Sequence, residues 1–254
     1  WVTIPETHGI STLRSEAESG KAFGITHALI PGNWEGRPGS LEGGAPNYPR
    51  NIGDAAKSLK DVDVTPGITV DPLISGGGSD AWIAKSVDGC SWVNPADASG
   101  REYIRKRMRK LVDQGFGFIV IEESQIPDEI LLAFNLSRAQ AARLAFDIAI
   151  EAAGSNSVSV LPKTSAQLNC VRDEWLAAAS AVSRMVEYGV GAAAVRLNAA
   201  DSANLDDMTL LAMRLWRGPI EFVGAPPRKF QGQIAGLFGG KPLDARAQDG
   251  NNKA

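Results

Sequence analysis

The residues best suited to chemistry are Glu122 and Glu123, two acids set directly after the apolar run Phe116-Gly117-Phe118-Ile119-Val120-Ile121. Charged side chains at the end of such a strand are costly to bury unless they are paired or face a cavity. Successive strand residues point to opposite faces, so only one of the two acids can turn inward. Glu122 is the expected catalytic group and Glu123 an expected substrate contact. A further acid, Asp173, follows Arg172 just beyond a short apolar segment. Two carboxylates across a cleft are what glycoside hydrolysis needs, because one protonates the leaving oxygen while the other attacks carbon or activates water. Asn33, Trp34 and Arg37, together with Asp71, Lys163, Arg172, Asn198 and Asp201, are expected substrate-binding groups at the same end of the molecule. Trp34, Trp82 and Trp92 suit stacking on sugar rings, with loop packing as the competing reading. For Glu122 the competing reading is a rim ion pair with Lys163 or Arg172.

Other chemistries lack their residues. His8 and His27 fall in no HExxH or HxH pattern, and Cys90 and Cys170 are too few for a cysteine-based zinc site. No metal and no cofactor is expected. There is no GxSxG elbow, no placement of either histidine for a triad, and no GxxxxGK[ST] loop. A net charge of −3 argues against a nucleic-acid partner. No apolar stretch approaches the ~18 residues of a membrane span.

Positioning these groups requires a scaffold, and 254 residues with 44% hydrophobic and 22% charged content suffice for one α/β domain. Strands are expected at Trp1–Pro5, Ile25–Pro31, Thr65–Val70, Phe116–Ile121, Val158–Leu161, Leu168–Val171, Gly191–Leu197 and Pro219–Val223. Helices are expected at Ser11–Phe23, Asn51–Lys60, Ser99–Gln114, Ser137–Ala153, Asp173–Tyr188 and Leu205–Trp216, with long loops over 32–50 and 71–100. Alternating strands and helices imply a parallel sheet, and eight such units fit a (β/α)8 TIM barrel. The expected organisation is one barrel over 1–227 and a polar, Gly-rich tail over 228–254 that frays. In such a barrel the functional groups sit at the C-terminal strand ends.

The runs LIPGNWEGR (29–37), YPRNIGDAAKSL (48–59) and TPGITVDP (65–72) resemble the melibiase-type α-galactosidases and related TIM-barrel glycoside hydrolases. The stretch ending in FGFIVIEES is similar to their helix and fourth strand, and AAAVRLNAAD with the segment that follows is similar to their seventh and eighth strands. The likeness runs from about residue 24 to residue 224. It implies Glu122 at the nucleophile position and Asp173 at the acid/base position. Several positions depart from it: Pro31 and Gly32 stand where the family carries two substrate-binding aspartates, Val120 replaces a lysine, and Asn198-Ala199-Ala200-Asp201 stands for Asn-Asp-Pro-Asp. The C-terminal β-sandwich usual in that family is not expected here.

The resulting expectation is a two-carboxylate glycoside hydrolase acting on a glycan or glycoprotein, with specificity altered from α-galactosidases. The first alternative is a catalytically idle barrel that binds glycan. A third is a paired-carboxylate, aspartic-type hydrolase acting on glycoprotein, although no Asp-Thr/Ser-Gly tripeptide occurs. The glycosidase reading favours a secreted or periplasmic location. Whether Cys90 and Cys170 pair is left open by their spacing.

Overall fold

The computed structural model describes residues 1–78, 80–86, 89–122, 125–154, 159–162, 169–170, 195–198, 220–226, 228–230 and 234. The chain starts with β1 (Val2–Thr3), α1 (Ile10–Gly20), β2 (His27–Ile30), α2 (Ile52–Lys60) and β3 (Thr65–Val70). After β3 come three short strands, β4 (Ile74–Ser75), β5 (Ile83–Lys85) and β6 (Ser91–Val93), then α3 (Ala98–Asp113) and β7 (Phe118–Ile121). The described elements that follow are α4 (Asp128–Phe134), α5 (Arg138–Gly154), β8 (Ser159–Pro162), β9 (Asn169–Cys170), β10 (Val195–Asn198) and β11 (Ile220–Val223).

Local chemistry sets the helix ends. Asn51 caps α2 by accepting from Gly53 N at 3.3 Å, and Ile52, Ala55, Ala56 and Leu59 line its buried face. Asp97 caps α3, accepting from Ser99 N at 2.7 Å and Gly100 N at 3.3 Å. A reciprocal capping box opens α5: Ser137 N donates to Gln140 Oε1 at 2.8 Å, and Gln140 N donates to Ser137 Oγ at 3.2 Å. The short α4 begins after Pro127 with Asp128 and Glu129 in its first turn and stops at Asn135, whose φ is +54°.

Eight strands form one sheet in the order β8-β7-β3-β2-β1-β11-β10-β9, and every described pairing in it is parallel. This is chain order run around a circle and cut between β8 and β9. In β2, β3 and β7 both faces are buried over most of their length, which is why these strands read as nearly continuous apolar runs. Ala28, Ile30, Ile68, Val70, Ile119 and Ile121 join the main core with the helices. Leu29, Phe118 and Val120 form a separate cluster on the other face, with Trp1 packed against them. Gly67 faces that cluster, and a Cβ there would fall within the Phe118 ring.

One expectation is corrected. The segment over 71–100 is not simply a loop: β4, β6 and β5 form an antiparallel three-stranded sheet. Strands of two and three residues are too short to carry a legible alternation. Within the segment expected as a tail, the described residues 228–230 make a 3₁₀ turn and Ile234 is fully buried in the core; the rest of it lies outside the described residues. The helices expected over 173–188 and 205–216 lie outside the described residues.

Candidate active site

The C-terminal ends of β2, β3 and β7 meet at Glu122. Its backbone N–H donates to Val70 O at 2.8 Å, which extends the β3–β7 pairing by one residue and sets Glu122 beside Asp71. Strand alternation gives Glu122 the same face as Phe118 and Val120, opposite the helices. Its carboxylate lies over Gly32, where a Cβ would come within 3.1 Å of Glu122 Oε2 and 3.8 Å of Thr69 Cγ2. The missing side chain at Gly32 thus leaves room for the acid.

Next to this glycine, Asn33 Oδ1 is buried without a hydrogen-bond partner. An orphaned buried acceptor costs about 1–3 kcal/mol, so it marks a place suited to a donor such as a ligand hydroxyl. Asp71 Oδ1 accepts from Leu73 N at 2.9 Å, so one of its oxygens serves its own turn. Arg37 is exposed and projects beside Gly76 and Gly77.

Trp34 is a correction. Its side chain is 0% exposed, and Nε1 donates to Thr69 O at 2.8 Å. A ring with both faces covered cannot stack on a sugar; this one is core, with its N–H satisfying a strand-end carbonyl. Trp92 is likewise buried, and its Nε1 donates to Ser86 Oγ at 3.1 Å. Trp82 is half-buried against Tyr103, ring centroids 5.1 Å apart.

An arginine and a glutamate that sequence reasoning passed over hold these loops. Arg107 is 4% exposed and donates to the carbonyls of Asp71 at 3.3 Å, Pro72 at 3.4 Å, and Ile74. It also lies 3.6 Å from Glu35 Oε1. Glu35 in turn accepts from Gly39 N at 2.7 Å and Leu41 N at 2.9 Å. The available signal was periodicity: Arg107 occupies the apolar stripe of α3 with Ile104, Met108 and Leu111, where a charge needs a buried partner.

Two clefts adjoin in the loops so held. One, of about 560 Å³, is lined by Gly36, Arg37, Ser40, Glu42, Gly77 and Tyr103 among others. The other, of about 340 Å³, includes Arg37, Ser75, Gly77, Lys85 and Ser91 in its wall. Glu123, Lys163, Arg172, Asp173 and Asp201 lie outside the described residues, and Asn198 is placed by backbone alone, paired with Val223 at the end of β10. The expected pairing of Glu122 with Asp173 therefore has no measured separation. Among the described residues no three His, Cys, Asp or Glu side chains gather as a metal site. No described helix is long and apolar enough to cross a membrane.

No protein-family model matches the sequence, and no curated protein matches it. Solved structures do match by fold. The GH36 α-galactosidase AgaA of Geobacillus stearothermophilus, in complex with stachyose, superposes with a TM-score of 0.60 at 13% identity, covering 94% of this chain and 40% of AgaA. An α-galactosidase of Lactobacillus brevis gives 0.62 at 12% identity, covering 94% and 39% of the two chains. TtGalA of Thermus thermophilus, an α-galactosidase in complex with p-nitrophenyl α-D-galactopyranoside, gives 0.62 at 13%, covering 93% and 60%. The chain spans about two fifths of the first two enzymes and three fifths of the third. At this identity the likeness is one of fold: the chain folds like the GH36 α-galactosidases over most of its length.

Proposed function

We propose that this chain closes as a (β/α)8 barrel and hydrolyses an O-glycosidic bond of a glycan, with a specificity different from that of α-galactosidases. The observation that carries this reading is the Glu122 carboxylate, seated over Gly32 at the end of β7 in a fold shared with GH36 enzymes. Glu122 attacks the anomeric carbon as Asp173 protonates the departing oxygen; Asp173 then takes a proton from water, which displaces Glu122 and releases the sugar. Asn33, Arg37, Asp71, Glu123, Lys163, Arg172, Asn198 and Asp201 contribute to substrate binding. Pro31 and Gly32 cannot offer carboxylates to sugar hydroxyls, which supports a changed specificity.

The test is a screen of aryl glycosides and oligosaccharides, followed by variants on whichever substrate turns over. Glu122→Gln should abolish turnover and leave binding nearly intact. Asp173→Asn should spare substrates with good leaving groups, which need little proton donation. The second reading, a glycan-binding barrel without activity, is supported by the number of positions that depart from the resemblance. Glycan binding without turnover of any panel member would establish it instead.

A further inference from the structure

The geometry points to a subsite for an anionic sugar substituent, a uronate carboxylate or a sulfate ester, in the cleft of about 340 Å³ between the loop after β2 and the three-stranded sheet. Arg37 and Lys85 line this cleft, and no carboxylate does so among the described residues. Glu35, the acid nearest in sequence to Arg37, is turned instead toward Gly39 N, Leu41 N and Arg107. Glu42 lines the neighbouring cleft, which Arg37 also borders, and lies 4.0 Å from Arg50.

The walls are set before any ligand arrives. Arg107 ties the carbonyls of residues 71, 72 and 74 to Glu35, and Glu35 holds the turn at Gly39. Gly39 packs so closely on Ser75 and Gly76 that a Cβ would overlap their backbone. Ser75 Oγ donates to Gly77 O at 3.0 Å, fixing the glycine segment that Arg37 overlies. A guanidinium lying over this wall can pair with a planar carboxylate or a sulfate through two parallel N–H bonds, while the Lys85 ammonium adds a mobile point charge.

Arg37 is five positions beyond Gly32, which lies against Glu122, a backbone reach of at most roughly 18 Å. An acidic unit bound here would therefore belong to an oligosaccharide whose reacting bond lies over Glu122. The inference rests on the glycosidase reading for the sugar but not for the charge.

The test titrates the full chain, at low ionic strength, with a panel in which each neutral oligosaccharide is matched with its uronate and its sulfated counterpart; inorganic sulfate is the free-anion control. At least one acidic member should bind about tenfold or more tighter than its neutral match. Arg37→Ala and Lys85→Ala should each remove about tenfold of that affinity, with unchanged thermal melts, and added salt should erode the preference. Arg37→Lys should restore part of the loss. Absence of any acidic preference, including absence of binding throughout, would overturn the subsite, as would a preference that survives both alanine variants. Inorganic sulfate binding as tightly as the best acidic glycan would also overturn it, since the site would then read a free anion. An acidic preference retained by a chain that hydrolyses no glycan would support the subsite and count against the glycosidase reading alone.

Discussion

Glu122, half-buried, and Tyr48, buried, show how differently two polar groups can matter. Glu122 sits at a strand end with space opened by a glycine, so its removal should cost chemistry rather than stability. If Pro31 and Gly32 occupy the positions of galactose-reading carboxylates, as proposed, a simple aryl α-galactoside should be a poor substrate, with kcat/KM below about 10⁴ M⁻¹s⁻¹. Steady-state kinetics checks this directly, and efficient turnover would refute the role given to those two positions. Tyr48 is 7% exposed, and its hydroxyl has no hydrogen-bond partner. Burial, and secondarily the charge of Glu6, pushes its phenol up to about 12 from the ordinary 10. The folded state thus holds the proton more tightly than the unfolded one. The resulting stability is present below pH 10 and lost as pH rises from 10 toward 12. Tyr48→Phe should flatten that alkaline loss, and at pH 7 it should be neutral or stabilising by up to about 1 kcal/mol, since an unsatisfied hydroxyl is removed. Denaturant melts at pH 7 and pH 11 measure both effects; a loss above about 1 kcal/mol at pH 7 would mean the hydroxyl has a partner.

At the scale of elements, the Arg107–Glu35 pair joins α3 to the loops after β2 and β3. Removing one member of a buried pair leaves the other charged and unmatched, so Arg107→Leu should destabilise by about 3–5 kcal/mol. Glu35→Gln keeps one acceptor oxygen for Gly39 N or Leu41 N, sets an NH2 against the other and removes the charge facing Arg107, so it should cost about 1–3 kcal/mol, less than Arg107→Leu. Thermal unfolding of both variants tests this order. Gly67 provides a second check on packing: Gly67→Ala should cost about 1–3 kcal/mol against the Phe118 ring, and Phe118→Leu should recover part of it. The same elements show why some structure was readable from sequence and some was not. The bounds of β3 and α2 follow from an apolar run and an Asn cap, both local signals. The start of α3 is capped by Asp97, just upstream of the expected Ser99, within the usual uncertainty of helix ends. The sheet β4-β6-β5 and the seven-residue α4 were invisible because neither is long enough to show a period. Trp34 misled because a tryptophan in a Gly/Pro-rich loop reads as exposed, whereas its N–H finds a carbonyl 35 positions away in sequence. The place of Glu122 at the end of β7 was legible because it directly follows a wholly apolar run.

On the scale of the molecule, the two ends of the parallel sheet differ in chemistry. At the N-terminal end, the Phe118 ring lies 5.7 Å from Trp1 and 5.4 Å from His27, which fills the inner face with aromatic rings. At the C-terminal end, Glu122, Asn33 and the clefts around Arg37 bring together polar groups above a packed interior. Parallel α/β sheets of this kind bind ligands outside the carboxyl ends of their strands, where the loops are free to vary. A bound glycan should therefore perturb Trp82, which is half-buried on Tyr103 at the cleft, and leave the covered Trp34 unchanged. Tryptophan fluorescence during glycan titration separates them. Trp82→Phe should abolish most of the ligand-dependent signal with little loss of stability. Trp34→Phe should retain the signal but destabilise by about 1–3 kcal/mol, because the Thr69 carbonyl loses its donor. Hydrogen exchange should show protection over residues 32–37 and 71–77 on binding. Protection confined to residues 1–3 and 27–28 would put the ligand at the aromatic end and remove Glu122 from the reacting bond.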